Sequence, residues 1–186
     1  ISMFNMVRCF EITLERNPEG FDSFDDLKRA VKETIAEYVG LMVDGCNVCD
    51  QAHKETSPTP LLSILVHDSL KTGHDITDGG ARYNPSGVQG VGTANLADSL
   101  LVIKRVIFGE DENGNSIEPV MTYQQLIELL KRNWSAEGDE KIRQSFINNY
   151  PKYGNDNDEV DLLGYEFLEF YGREVEKYQN VRGGYF

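Results

Sequence analysis

A glycine-rich segment followed by an amphipathic run, residues 76–107, constrains the fold of this chain more than any other part. The pair Gly79–Gly80 indicates crowded backbone, because only glycine tolerates both positive φ and very close approach of another segment. Residues 85–87 (Pro-Ser-Gly) add turn chemistry, and apolar side chains then recur at helical spacing: Leu96, Leu100, Ile103 and Ile107. The pattern predicts a short buried extended piece, a tight glycine loop and a helix that starts near Asn95.

The second glycine cluster of this segment does not favour a nucleotide site. Gly90, Gly92 and Asn95 form a GxGxxN pattern, which is close to the dinucleotide-binding fingerprint. That fingerprint follows a hydrophobic strand, whereas the preceding residues ARYNPSGVQ are polar and contain a proline. The lysine and hydroxyl residue of a P-loop are also missing, so we do not expect phosphate binding here.

Apolar periodicity elsewhere in the chain predicts six or seven helical segments and few strands. The predicted helices are Met3–Leu14, Ser23 to about Gly45, Pro60–Gly73, Thr122–Trp134 with a capping box at Thr122 and Gln125, Asp139–Tyr150, and Glu159–Tyr178. The length suggests one domain. From these patterns the chain is either a compact helical bundle or a piece of a larger α/β protein whose short strands pair elsewhere.

The charge and composition exclude several functional classes. The net charge is −13, from 31 acidic and 18 basic residues, whereas phosphate binding requires concentrated lysine and arginine. We therefore expect no nucleic-acid partner. An apolar fraction of 40% supports a packed core. No run of the sequence is apolar enough to span a bilayer and no signal peptide opens it, which predicts a soluble, cytoplasmic protein.

The cysteines and histidines do not form a recognisable metal motif. Cys46 and Cys49 form a CNVC pattern and His53 follows, but a structural zinc site needs a fourth ligand and none is evident. We expect reduced, partly buried cysteines, and the role of the CNVC pair stays open. Acidic residues 156–161 are interpreted as capping the following helix rather than binding a cation.

A family resemblance is visible in the block DITDGGARYNPSGVQGVGTANLADSLLVIKRVIF, which resembles the corresponding block of glycyl radical enzymes, particularly the glycerol and diol dehydratase-like branch. The resemblance continues in the same order through FNMVRCFEITL, PTPLLSILVHDSL, YPKYGNDNDEVD and EKYQNVRGGYF. It implies the α/β class, with residues 1–186 forming a mostly helical internal segment of a ten-stranded, pyruvate formate-lyase-like α/β barrel.

The resemblance also implies the chemistry. In this family a glycyl radical, installed by a radical S-adenosylmethionine activating enzyme, oxidises a cysteine to a thiyl radical that takes a hydrogen atom from the substrate. The family's cysteine lies in a Gly-Cys-Val-Glu type motif and its glycine in an Arg-Val-x-Gly type motif, and this sequence contains neither. We therefore expect no catalytic residue and no bound cofactor or metal in this segment, and none of Cys9, Cys46 and Cys49 as thiyl carrier.

The residues that the resemblance places nearest to a substrate pocket are Arg82, Tyr83 and Asn84. Tyr83 could hydrogen-bond a substrate hydroxyl and Asn84 could hold a loop, while structural packing is the alternative role for all three. The loop ERNPEG is shorter than usual in the family and GEDENGNSIEP is longer.

Three functions remain open. Under the first, the chain is part of a glycyl radical lyase or dehydratase that acts on a small molecule such as a diol. Its partners would be the activating enzyme and the second subunit of a homodimer, and the isolated segment would be inactive. The first residue, Ile1, is not a methionine, which favours this hypothesis. The second is a non-catalytic acidic helical interaction module, and the third is a CNVC metal-binding protein. The substrate is not predicted.

Overall fold

The computed structural model describes residues 2–186, of which helices are the main element. The elements in chain order are β1 (Ser2–Asn5), α1 (Met6–Arg16), α2 (Phe24–Thr56), α3 (Pro60–Ser63), α4 (His67–Thr72), a 3₁₀ helix (Ile76–Asp78), β2 (Val88–Val91), α5 (Thr93–Val106), α6 (Tyr123–Lys131), α7 (Asp139–Asn148) and α8 (Asp158–Val175).

The described residues divide into two compact units. The first unit contains residues 2–4, 36–90 and 171–186, and the second contains residues 5–35 and 91–170. We call them the loop unit and the helical unit, after the glycine loop in one and the packed helices in the other. Each is considered by itself.

The core of the helical unit lies between α1 and α5, which contact each other directly. Helix α1 begins at Met6 because the Asn5 side chain accepts a hydrogen bond from the Arg8 amide at 3.1 Å, which caps the first turn. The largest fully buried side chains of this unit are mostly apolar: Met6, Leu27, Val31, Ile35, Leu96, Leu100, Leu101, Val106, Val160 and Phe167, with Thr13 as the polar exception. Their burial supplies most of the stabilisation.

The close contact between the start of α5 and α1 requires a glycine at position 92. Gly92 caps α5 with a φ of +86°, and a Cβ there would lie 2.8 Å from Cγ2 of Val7 on α1. An L side chain would therefore be strained twice, by conformation and by contact.

Polar pairs fix the remaining helices of this unit. Arg132 donates two hydrogen bonds of 2.6 Å to the carboxylate of Asp139, the first residue of α7. This pairing holds the pKa of Asp139 below its usual range. Tyr123 at the start of α6 donates from its hydroxyl to the carbonyl oxygen of Asn17 at 3.0 Å, and burial raises its pKa to about 12.

The loop unit contains the only sheet within residues 2–186, formed by β1 and β2 running parallel. Phe4 of β1 packs against Tyr171 with 5.1 Å between the ring centroids. Val39 and Val43 on the later part of α2 and Val175 at the end of α8 are also buried in this unit.

The boundaries of the first two predicted helices differ from those in the structure. The predicted helix Met3–Leu14 is wrong at its start, since residues 2–5 form β1 and Asn5 caps the helix that follows. The helix predicted to end near Gly45 continues to Thr56. A glycine inside a helix costs only about 1 kcal/mol, and nothing lies within 4 Å of a Cβ at Gly45, so the helix runs on until Pro58 approaches.

The glycine segment also departs from its prediction. The extended piece was expected before the glycine loop, but residues 76–78 form a 3₁₀ helix and the strand, β2, follows the loop. Helix α5 starts at Thr93, two residues before the predicted Asn95. The single helix predicted from Pro60 is divided into α3 and α4, although Gly73 closes it as predicted, with a φ of +71°.

Predictions from capping chemistry are confirmed at α6. The Thr122 side chain accepts from the Gln125 amide and the Gln125 side chain accepts from the Thr122 amide, which completes the capping box. The helix is closed by Asn133 and Trp134, both with positive φ. The predicted helices Asp139–Tyr150 and Glu159–Tyr178 exist but end earlier, at Asn148 and Val175.

Candidate functional site

The candidate site is the loop that joins the 3₁₀ helix to β2, and two glycines make its entry possible. Gly79 has a φ of +75°, and a Cβ on it would lie 2.9 Å from the carbonyl oxygen of Arg182. A Cβ on Gly80 would overlap the carbonyl oxygen of His74 and approach Oγ of Ser69 at 2.6 Å. The crowding predicted for this glycine pair is therefore confirmed.

Asn84 closes the turn that carries the other two candidate residues. Its Nδ2 donates to the carbonyl oxygen of Ala81 at 2.8 Å and to that of Gly79 at 3.4 Å. These bonds fold residues 81–84 into a tip, which we call the 81–84 tip. The Asn84 side chain is thereby bonded within the turn.

Arg82 and Tyr83 lie at the outer end of the tip. Both are exposed, with 77% of the Tyr83 surface accessible. The guanidinium carbon of Arg82 is 5.4 Å from the centre of the Tyr83 ring, which is within cation–π range. The tip therefore presents a guanidinium, which donates hydrogen bonds and attracts anions, next to a phenol that can donate to or accept from a hydroxyl.

The C-terminal segment 180–185 packs against this loop. Asn180 donates from Nδ2 to the carbonyl oxygen of Asn84 at 2.6 Å and to Oγ of Ser86 at 3.0 Å. The Ser86 amide donates to the carbonyl oxygen of Tyr185 at 2.9 Å. A Cβ on Gly184 would overlap the carbonyl oxygen of Asn84, so only glycine fits there.

An ion pair links the same segment to α2. Arg182 Nε donates to Oδ2 of Asp50 at 3.1 Å, and Ser86 Oγ donates to the same oxygen at 3.2 Å. A terminal nitrogen of Arg182 also reaches the carbonyl oxygen of Pro85 at 3.2 Å. No role was predicted for Asp50 or Arg182, because nothing in the local sequence of either residue reports a contact with a distant segment.

Asp75 anchors the chain that leads into the loop. Its carboxylate accepts from the Thr77 hydroxyl at 2.7 Å, the Thr77 amide at 2.9 Å, the Ser63 hydroxyl at 2.8 Å and the Thr59 amide at 2.9 Å. These donors stabilise the charged form and lower the pKa of Asp75 to about 2, with the Thr77 hydroxyl the largest cause. Asp75 thus ties α3 to the start of the glycine pair.

The cysteines lie outside this loop. Cys9 is buried, Cys46 is partly buried and Cys49 is exposed, and none of the three forms a disulfide bond. Burial and, to a smaller extent, the neighbouring Cys46 raise the pKa of Tyr171 to about 12. Among residues 2–186 there is no group of three or more His, Cys, Asp or Glu side chains placed to hold a metal ion.

The sequence of the described chain matches one family model along its whole length. The model is that of the pyruvate formate lyase-like proteins, and it covers residues 2–186. The chain belongs to this family. Family membership was predicted from the glycine block and its flanking motifs, and it is confirmed.

Individual relatives agree with this assignment. The chain is 32% identical to the (2S)-3-sulfopropanediol dehydratase of Klebsiella oxytoca, over 89% of its own length and 19% of the relative's. It superimposes on the glycerol-bound, B12-independent glycerol dehydratase of Clostridium butyricum with a TM-score of 0.85 and 38% identity, covering 99% of this chain and 24% of that one. A glycyl radical enzyme of Archaeoglobus fulgidus gives a TM-score of 0.81 and 33% identity, covering 99% and 24%.

These relatives establish the fold class. The chain is a mostly helical segment of the glycyl radical enzyme type of α/β barrel, as the resemblance implied. It spans about a fifth of the length of the curated relative that it matches. No helix among the described residues has the length and apolarity that crossing a membrane would need.

Proposed function

We propose that this chain is part of a glycyl radical enzyme, a lyase or dehydratase that cleaves a C–O, C–N or C–C bond of a small molecule such as a diol. The observation that carries the proposal is the 38% identity and 0.85 TM-score to a glycerol dehydratase with glycerol bound. The similarity to a sulfopropanediol dehydratase supports a hydroxylated three-carbon substrate as the first class to test.

In the proposed enzyme the radical chemistry is supplied from outside these residues. A glycyl radical, installed by a radical S-adenosylmethionine activating enzyme, generates the thiyl radical that takes a hydrogen atom from the substrate. The present residues contribute scaffold and pocket wall, and the working enzyme is a homodimer. The 186-residue chain by itself is then inactive, because it contains neither the Gly-Cys-Val-Glu type nor the Arg-Val-x-Gly type motif.

Within the segment, we assign substrate contact to the 81–84 tip. The Tyr83 hydroxyl hydrogen-bonds a substrate hydroxyl, the Arg82 guanidinium complements the oxygen-rich end of the substrate, and Asn84 keeps the tip folded. The support is geometric: Arg82 and Tyr83 are both exposed, while the Asn84 amide is engaged with two backbone carbonyls of the turn. Binding energy at such contacts orients the substrate for hydrogen-atom transfer.

The test is anaerobic reconstitution of the polypeptide that the whole gene encodes. It is incubated with a radical S-adenosylmethionine activating enzyme, reductant and S-adenosylmethionine, then examined by electron paramagnetic resonance and supplied with glycerol or 1,2-propanediol. The proposal predicts a glycyl radical doublet and formation of the corresponding aldehyde. The 186-residue chain treated in the same way is the control and should give neither.

The alternative is a non-catalytic interaction module, which the net charge of −13 favours. A gene product that is no longer than this chain, folds, and never yields a radical signal would support the module and overturn the enzyme proposal. Stoichiometric zinc or iron in the purified chain would instead support the CNVC metal-binding hypothesis.

A further inference from the structure

Asn180 is a buried polar side chain next to the candidate site, and both its oxygen and its nitrogen are hydrogen-bonded. Only 6% of its surface is exposed, although asparagine is usually an exposed residue. A buried amide is costly unless its donors and acceptors are paired, so its bonding shows what holds it in place.

The two ends of the Asn180 side chain have separate partners. Its Oδ1 accepts from the amides of Arg182 at 3.0 Å and Gly184 at 2.9 Å, which folds the C-terminal turn. Its Nδ2 donates to the carbonyl oxygen of Asn84 at 2.6 Å and to Ser86 Oγ at 3.0 Å. The acceptor therefore orders its own segment, whereas the donor reaches the loop that carries the candidate site.

The hydrogen bond from Asn180 to the Asn84 carbonyl connects Asn180 to the 81–84 tip, because Asn84 is the last residue of that tip. The Asn84 carbonyl is held by Asn180, and the Asn84 side chain closes the turn onto Ala81 at 2.8 Å. Arg82 and Tyr83 occupy the two positions between those ends, and the two residues contact each other by cation–π geometry. By holding the Asn84 carbonyl, Asn180 therefore also fixes the backbone positions from which the Arg82 and Tyr83 side chains extend.

We propose that Asn180 is a positioning residue, which through its Nδ2–H bond to the Asn84 carbonyl holds Arg82 and Tyr83 in the orientation that binds substrate. The inference rests on the proposed function of the 81–84 tip. It adds that substrate recognition is completed by a residue 96 positions away in the sequence, in the C-terminal segment.

The variant that isolates this bond is Asn180→Asp. Aspartate has the same shape and keeps the Oδ1 acceptor for Arg182 and Gly184, but it replaces the donor with a second acceptor facing the Asn84 carbonyl. The matched control is Asn149→Asp, which makes the same change at an exposed position. There the Asn149 amide bonds the Ser145 hydroxyl, and that hydroxyl can donate to an aspartate instead.

The first readout is amide hydrogen exchange in the polypeptide that the whole gene encodes. The Ser86 amide, protected by its bond to the Tyr185 carbonyl, should exchange about tenfold faster or more in Asn180→Asp and stay unchanged in Asn149→Asp. Unchanged Ser86 exchange in Asn180→Asp would overturn the inference, whatever the activity of the longer enzyme.

The second readout is kinetic and uses the reconstituted longer enzyme. Positioning predicts a KM for the diol raised about tenfold in Asn180→Asp, with the glycyl radical spin count unchanged and kcat altered much less. A purely structural role would lower soluble enzyme and spin count and leave KM unchanged, which would contradict the inference. Failure of the proposed function is separate, since KM would then also be unaffected by substitutions at Arg82 and Tyr83.

Discussion

Each of the two units of this chain is stabilised internally by a different kind of interaction. In the helical unit, aliphatic side chains from α1 and α5 are removed from water almost completely, and Leu96, Leu100 and Leu101 are each fully buried. In the loop unit, the glycine loop is held by side chains that donate to or accept from backbone groups, with Asp75, Asn84 and Asn180 as centres. Apolar burial thus makes a scaffold, and directed hydrogen bonds fix one exposed tip.

The comparison predicts how each unit responds to damage. Apolar burial is non-directional and depends on volume, so the helical unit should lose free energy of unfolding in proportion to the atoms removed. A hydrogen bond depends on donor and acceptor identity, so the loop unit should be sensitive to changes that preserve volume and alter one atom or one charge.

The largest expected effect is that of Leu100→Ala in α5. Leu100 is fully buried, so truncation should lower the free energy of unfolding by about 2–5 kcal/mol. Urea denaturation followed by circular dichroism measures this. The control is Leu162→Ala on α8, where the side chain is 63% exposed and the change should stay within about 0.5 kcal/mol. Equal losses for the two variants would break the claim that apolar burial stabilises this unit.

A smaller loss is expected for Gly184→Ala in the loop unit. The added Cβ would overlap the Asn84 carbonyl oxygen, so the C-terminal segment must move away, at a cost of about 1–3 kcal/mol. Faster exchange of the Ser86 amide should accompany the loss. Gly172→Ala is the matched control, since nothing lies within 4 Å of a Cβ there and alanine favours the helix by up to about 1 kcal/mol. A Gly184→Ala variant as stable as Gly172→Ala would contradict the close packing.

The smallest effect is expected for Asp75→Asn, and it depends on pH. The folded-state pKa of Asp75 is about 2, below the ordinary aspartate value of 3.8, so its stabilisation is fully present above about pH 4. It is lost as the pH falls through about 2. The urea midpoint of Asp75→Asn should therefore lie below that of the unsubstituted chain at pH 6, and the gap should close as the pH falls from about 4 to about 2.

The control for Asp75 is Asp44→Asn, which removes one charge at an exposed position of α2 in the same unit. The Asp75 carboxylate would not anchor the loop if Asp75→Asn lowered the urea midpoint no more than Asp44→Asn does. The same conclusion would follow if the difference in midpoint did not change with pH.

The helical unit could be predicted from sequence because its determinants are local. The apolar stripe of α5 and the Thr122–Gln125 capping box each lie within one helix, and both are confirmed. The failures are local ambiguities: four residues of β1 are too few to distinguish a strand from a helical first turn, and Gly45 did not stop α2.

The candidate site could be predicted only in part. The glycine pair and Asn84 were identified because crowding and turn chemistry are visible in neighbouring residues. The contacts of Asn180 and Arg182 with the loop were not predicted, because they join residues 94 to 97 positions apart. Hydrogen bonds from a side chain to a distant carbonyl or hydroxyl produce no periodic pattern in the sequence. Substrate contact by Arg82 and Tyr83 stays a prediction.

The most direct test of the account is the KM of Tyr83→Phe in the reconstituted enzyme, compared with Tyr165→Phe. Both tyrosines are exposed, 77% and 59%, but Tyr165 lies on α8 in the helical unit. Loss of one hydrogen bond to the substrate predicts that KM for glycerol or 1,2-propanediol rises roughly threefold to tenfold in Tyr83→Phe, with an unchanged glycyl radical signal and no change in Tyr165→Phe. The same KM in both variants would contradict the assignment of the tip to substrate binding.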